Sequence, residues 1–292
     1  MSGGKLFQNI SINLLLMCCA QIIIAAQDDN SLIFRGHFPA VEKKGVSFLN
    51  SFASEANITR YLIANQHHVW RARVMSDVGL INFSPSVLWH TGLTMETLVD
   101  NQNDINFRLV QVYYQVLTAF DWNLGDQSFR FGYRHRCSHG TDGAVSSRIT
   151  IRSGPTLVYQ KNWLLKHANI SIEPGTNLYL IGQNSDLMNQ LRGELFFNSQ
   201  VLFPVYNSLS LLFVSGINFL FNSEGNNFLY FPFSPLKNWE IIPLWGARLA
   251  LRVEPGRIKS DIGLAYRQNF DSSLGHHAEK LHLLSLELNF MW

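Results

Sequence analysis

"LLSLELNFMW", Leu283 to Trp292, closes the chain. Taken in steps of two, Leu284, Leu286, Leu288, Phe290 and Trp292 fall on one side, and Ser285, Glu287, Asn289 and Met291 on the other. A period of two belongs to a β-strand, whose successive side chains point to opposite faces. A strand left bare at the end of a chain offers unpaired N–H and C=O groups to any neighbour and invites aggregation. Pairing the last strand with the first removes that edge, so these ten residues raise the expectation of a sheet closed on itself.

The same alternation recurs upstream. Ile258, Ser260, Ile262, Leu264 and Tyr266 oppose Lys259, Asp261, Gly263 and Arg267. Ile241, Trp245, Leu249, Leu251 and Val253 oppose Arg248, Arg252 and Glu254, and Leu209, Leu211, Phe213, Ile217, Phe219 and Phe221 oppose Ser208, Ser210, Gly216 and Asn218. Apolar residues toward lipid and polar or charged residues toward a lumen make the transmembrane-barrel pattern. A soluble β-sandwich alternates too, with its apolar faces shared between two sheets. The ends of the chain separate the two. Lys5 is the only charge before Asp28, a mostly apolar run extends from Ile10 to Ala26, and Ala25-Ala26 gives way to Asp28-Asp29-Asn30. That is the layout of a secretory signal peptide over residues 1–26, cleaved after Ala26. A lipoprotein signal acylated at Cys18 or Cys19 is the rival reading. Beyond residue 26 no apolar run reaches the roughly 18 residues of a membrane helix, although 47% of the chain is hydrophobic. An exported, apolar-rich chain with strand periodicity and no membrane helix is expected to cross a membrane with strands. The aromatic end of the chain resembles the C-terminal targeting strand of Gram-negative outer-membrane barrels. That resemblance implies that Phe290 and Trp292 act as an assembly signal read by the barrel-assembly machinery.

The predicted fold is therefore all-β, a single antiparallel transmembrane β-barrel of about 10–12 strands in the outer membrane, contacting its lipids. Counting back from Trp292 gives strands near 279–292, 257–269, 240–254, 207–221, 189–203, 168–182, 146–160, 127–139, 107–122, 84–98 and 66–80. Pro255-Gly256, Phe203 to Tyr206 and Asn123 to Asp126 are compact and fall on the periplasmic side, while 222–239 is a long outer loop. Bacterial single-chain barrels have even strand numbers, so a twelfth strand is sought near 46–60. The domain reading is a signal peptide (1–26), an N-terminal segment (27–65) forming a first strand, a periplasmic helix or a plug, and the barrel (66–292). Formal net charge is +2, which makes no electrostatic case for nucleic acid. With the leader removed one cysteine remains, so no internal disulfide framework is available.

One stretch carries chemistry, "FGYRHRCSHGTDG", Phe131 to Gly143. On an upward strand it ends at the extracellular rim. Phe129, Phe131, Tyr133, His135, Cys137 and His139 share the lipid-facing side, and Arg130, Gly132, Arg134, Arg136 and Ser138 share the inner one. Arg148 and Arg152 are expected to join Arg130, Arg134 and Arg136 in a basic lumen wall. A nucleophile needs a base within hydrogen-bond reach and a third group to orient that base. Cys137 and His135 stand at i and i+2, about 7 Å apart by strand rise, with Asp142 or Ser147 as candidate orienting groups across the hairpin. The alternative is that polar and aromatic residues collect where strands leave lipid for water, with the cysteine an inert small side chain. Metal ligation by His135, Cys137 and His139 is the third reading, but residues alternating along one strand rarely close a tetrahedral site. No cofactor motif, Walker loop or zinc-protease signature is present. His67-His68 and His276-His277 read as solvated pairs, and the seven tryptophans as interface or wall aromatics.

Two resemblances attach to this stretch. "GYRHRC" resembles the "GYxHxS" stretch of the outer-membrane phospholipase A barrels, with Gly132, Tyr133 and His135 matching and Cys137 in the nucleophile's place. Ile149 stands where that family has its orienting asparagine. "HRCSHGTD" resembles the H-x-S-S-H-x-G-D stretch of an uncharacterised family of bacterial outer-membrane barrels. There His135, Ser138, His139 and Asp142 match, with Cys137 replacing a serine and Thr141 a glycine. Three functions follow as expectations: a structural or surface envelope barrel, an outer-leaflet lipid hydrolase with a rim site, and a narrow diffusion channel with an anion bias. Oligomeric state is not legible.

Overall fold

The computed structural model describes residues 46–64, 68–101, 107–141, 150–184, 189–224, 237–256, 258–271 and 279–292. The expected signal peptide lies outside them. The described chain forms β1 (Ser47–Ile63), β2 (Trp70–Ser84), β3 (Val87–Asp100), β4 (Arg108–Leu124), β5 (Gln127–Gly140), β6 (Thr150–Leu165), β7 (Ala168–Leu178), β8 (Ile181–Asn184), β9 (Asn189–Tyr206), β10 (Leu209–Glu224), β11 (Lys237–Val253), β12 (Lys259–Asp271) and β13 (Glu279–Met291). Neighbours in sequence pair antiparallel, and β1 pairs with β13 from Glu55↔Met291 to Ile63↔Leu284. Backbone bonds of 3.1 Å between Ser54 and Trp292, one in each direction, extend that seam to the last residue. The sheet is thus closed, as the C-terminal alternation requires.

β7 and β8 are two parts of one wall strand, so thirteen segments make twelve barrel strands. Between the pairs Thr156↔Asn177 and Ser153↔Ile181, β6 advances three residues while the facing strand advances four. The extra residue is a β-bulge at Leu178 to Leu180. Tyr179 keeps the inward side of Glu173 and Asn177, and only 3% of it is exposed. The twelfth strand sought upstream near 46–60 is β1, which takes Ser47–Ile63 into the wall.

Four of the turns on one end have two residues (85–86, 125–126, 166–167 and 207–208), and the connection at 254–258 has five. The longest connection on the other end, 225–236, has twelve. Short turns mark the periplasmic side and longer loops the outside. Phe203 to Tyr206, expected as a periplasmic turn, belong instead to β9. Leu209 pairs with Tyr206, and Asn207, at φ +41°, makes the turn. Ser210 pairs with Pro204, so Val205 is an extra residue bulged out of the ladder, and Asn is one of the few non-glycine residues that tolerates positive φ. At the other connection Gly256 takes φ +77°, as the Pro-Gly pair suggests.

The two faces differ as the pattern demands. Outward residues such as Phe131, Leu249 and Leu264 are more than half exposed. Trp70, Trp122 and Trp239 are exposed on this face, and stacked or tilted rings pair Trp89 with Phe120 and Trp245 with Tyr266. An even-stranded, single-chain barrel with an apolar outer wall is the architecture of the bacterial outer membrane, where this protein resides.

Many inward residues are covered. Thr59, Asp77, His90, Glu194, Asn218, Leu220 and Leu244 show no exposed surface at all. Two apolar clusters occupy the extracellular half of the lumen from opposite walls. One is Tyr179, Leu191, Leu220, Ile242 and Leu244; the other is Tyr61, Leu98 and Leu283, with Tyr113 and Leu281 against it. Phe196 also turns inward, its ring lying where a side chain on Gly175 would stand, 2.2 Å from an added Cβ. Toward the periplasmic end a cavity of about 560 Å³ remains, bordered by Asn162, Trp163, Asn169, Glu254, Lys259 and Trp292.

Candidate functional site

β5 presents its residues as the alternation predicts. Arg130, Arg134 and Ser138 are buried on the lumen side, while Phe129, Phe131, Tyr133 and His139 are exposed on the outer wall. His135 and Cys137 are half-buried on that outer face.

His135 pairs across the sheet with Ser153 of β6 and Val116 of β4. Its Nδ1 lies 2.6 Å from the Ser153 hydroxyl. That is its side-chain hydrogen bond among the described residues; none joins it to Cys137. Cys137 stands between Tyr114 and Ile151 on the neighbouring strands. It is a free thiol with apolar cross-strand neighbours. His139 meets the edge of the Tyr114 ring at 6.1 Å. Asp142 and Ser147, the expected orienting groups, lie outside the described residues, as do Arg148 and Ile149. The structure therefore brings His135 together with a serine that the sequence reading had not singled out. Among the described residues no three His, Cys, Asp or Glu side chains converge on a metal position.

The expected basic wall has a different character. Arg130, Arg134, Arg136 and Arg152 do face inward, Arg136 opposite Arg152. They do not form an unbalanced positive surface, because carboxylates meet Arg130, Arg134 and Arg136. Arg130 grips Asp121 through Nε and Nη2, both at 2.7 Å. Arg134 donates to Glu194 at 2.6 Å and to the Tyr179 hydroxyl at 2.7 Å. Arg136 lies 4.0 Å from Glu96 and over the Tyr113 ring. Asp121 continues into a chain. His90 Nε2 is 3.2 Å from it, and His90 Nδ1 is 2.8 Å from Asp77. Both ring nitrogens face carboxylates, which only accept, so this arrangement suits a ring carrying a proton on each nitrogen.

A second network lines the lumen on both sides of the seam between first and last strands, with Arg71 of β2 4.0 Å from Glu287 of β13. Asp261 accepts from Arg252 at 2.6 and 2.9 Å and from Arg248 at 3.2 Å. Glu287 lies 2.5 Å from Arg267 and 3.1 Å from Arg248, and Glu55 accepts from Arg73 at 2.9 Å. Buried charges persist only when paired and hydrogen-bonded, and the lumen meets that condition by distributing carboxylates opposite its arginines.

No protein-family model matches the chain, and no curated protein does. Solved structures that are similar include the outer membrane phospholipase A from Escherichia coli (11% identity, 83% of this chain and 97% of that one, TM-score 0.43). A Salmonella typhi outer membrane phospholipase dimer with bound calcium gives 10%, 81% and 89%, with TM-score 0.42. The NanC porin gives 13%, 82% and 98%, with TM-score 0.43.

Proposed function

We propose that the protein is a closed envelope barrel whose working surfaces are its outer wall and extracellular rim rather than a pore, in a structural or surface role among outer-membrane lipids. One observation carries this: the apolar side chains that point into the outer half of the barrel are covered. A water-filled lumen wets its inward face, whereas Leu220 and Leu244 in the outer half have no exposed surface. The ion pairing of Arg130 and Arg134 supports the same reading over an anion-selective channel, since a carboxylate already pairs with each guanidinium. Purified protein reconstituted into planar bilayers is expected to give no discrete conductance steps. Reproducible single-channel openings with anion selectivity would replace this reading by the channel.

The His135 Nδ1–Ser153 hydrogen bond favours a second reading, an outer-leaflet acyl-lipid hydrolase built on the same closed scaffold. With Nδ1 occupied, Nε2 is the ring nitrogen left to serve as base. The matching Gly132, Tyr133 and His135 of the phospholipase-like motif support it, as do the matching His135, Ser138, His139 and Asp142 of the uncharacterised barrel family. In this mechanism Nε2 takes the Cys137 thiol proton and Sγ attacks the ester carbonyl. The C–O bond breaks, His135 protonates the leaving alcohol, and water then hydrolyses the thioester with His135 again as base. Fatty acid should be released from phospholipid or lipid A by the wild type and not by Cys137→Ala, while Cys137→Ser keeps part of the activity. His135→Ala should cost roughly 10²–10⁴-fold, as for a general base. Full activity in Cys137→Ala would remove Cys137 from the mechanism.

A further inference from the structure

We infer that Ser153 is the positioning residue of His135, holding its ring in the Nδ1–H form so that Nε2 is free to accept a proton. This rests on the rim-hydrolase reading and gives its base an orienting group among the described residues.

The Ser153 hydroxyl is 2.6 Å from His135 Nδ1, and the two residues are a register pair on the outer wall. A hydroxyl oxygen can accept the Nδ1 proton while its own hydrogen rotates elsewhere. The alternative role, Ser153 as nucleophile, is disfavoured by access. Only 1% of Ser153 is exposed, so an acyl chain in the bilayer cannot reach its oxygen, whereas His135 and Cys137 are both half-buried.

The burial of Ser153 has a structural cause. It pairs with Ile181, at the end of the bulge that separates β7 from β8. Its neighbour Gly154 leaves no room for a side chain: an added Cβ would stand 1.8 Å from the Leu178 carbonyl oxygen. The bulged backbone therefore lies close against β6 at this point. The bulge is held from inside the barrel, where Tyr179 accepts from Arg134 and its amide donates to the Arg192 carbonyl at 2.8 Å. Bulges recur beside functional sites because they re-aim side chains and end regular pairing. Here the bulged segment, anchored by inward Tyr179, lies against the stretch of β6 that carries Ser153 beside His135. A solvated rim histidine needs neither a buried partner nor a fixed ring.

Two measurements on the refolded full barrel test this. The first is independent of catalysis: ¹⁵N NMR of protein labelled at histidine, with His135 assigned by loss of its signals in His135→Gln. At a pH where the ring is neutral, the wild type is expected to show His135 with the proton on Nδ1. Ser153→Ala should shift the population toward the Nε2–H form that an unrestrained imidazole prefers, and Ser153→Thr, which keeps the hydroxyl, should restore the Nδ1–H form. The second is lipid hydrolysis, where Ser153→Ala should lower kcat about tenfold with KM unchanged, as for loss of one orienting hydrogen bond. An unchanged tautomer in Ser153→Ala would overturn the positioning role. A tautomer that shifts as expected in a wild type that cleaves no lipid would leave Ser153 as the partner of His135 and remove the hydrolase reading instead.

Discussion

Replacing Glu194 with Ala tests whether the lumen is dry. Glu194 has no exposed surface and accepts from Arg134 at 2.6 Å, from Asn218 at 3.0 Å and from Asn177, with the Tyr179 hydroxyl bonded to it as well. Its removal leaves the Arg134 guanidinium, itself only 5% exposed, with the Tyr179 hydroxyl as a neutral partner. Stranding one member of a buried ion pair costs about 3–5 kcal/mol, because the remaining charge stays desolvated. In a wet lumen water would take the place of the carboxylate, and the loss would be about 0–1 kcal/mol, as for exposed pairs. Glu194→Gln keeps the shape and a carbonyl acceptor for Arg134, so it should fall between. The assay is reversible urea unfolding of the barrel in lipid vesicles, followed by tryptophan fluorescence. A Glu194→Ala loss below about 1 kcal/mol, with an unchanged denaturant slope, would mean that Arg134 is solvated and that the packed-lumen account is wrong.

Other outcomes follow from particular contacts. Leu244→Ala, in the cluster with Leu220 and Ile242, should cost about 2–5 kcal/mol, read as the same unfolding free energy. Gly175→Ala places a methyl group 2.2 Å from the Phe196 ring and should cost about 1–3 kcal/mol; a thermally neutral variant would mean the ring moves freely. Deleting Phe290 to Trp292 removes the Ser54–Trp292 backbone pair that extends the seam. It should abolish the heat-modifiable form on gels, since an open edge in lipid leaves backbone groups unpaired; normal levels of that form would show the end of the chain to be dispensable.

The barrel was legible because its determinants are local. Strand alternation in "LLSLELNFMW" assigned Leu286 and Leu288 to lipid and Glu287 to the lumen with no knowledge of their partners, and the structure places them so. The same periodicity put Arg130 and Arg134 inside. What it could not supply was the cross-strand partner. Asp121 sits between outward Phe120 and Trp122 and is therefore readable as inward, yet its pairing with Arg130 depends on the β4–β5 register set by the turn at Gly125-Asp126. Ser153 was harder still. It lies 18 residues beyond His135, across a long outer connection. Single-sequence alternation gives the face of a residue but not how far one strand slides past the next. The bulge at Leu178 to Leu180, which shifts the pairing by one residue, left no composition signal; only Gly154, facing the Leu178 carbonyl, hinted at a close backbone approach.

The most direct measurement of the central claim is the access of water-borne reagent to the two halves of the lumen. In a Cys137→Ala background, single cysteines at Leu244 and Asn162 would be treated with a membrane-impermeant maleimide on the folded barrel in sealed and in detergent-opened vesicles. Leu244 is fully covered in the outer half, whereas Asn162 borders the periplasmic cavity. The account gives rapid labelling of Asn162→Cys once the periplasmic side is exposed, and no labelling of Leu244→Cys from either side until urea unfolds the protein. Labelling of folded Leu244→Cys at a rate comparable to Asn162→Cys would show that water fills the barrel and contradict the closed lumen.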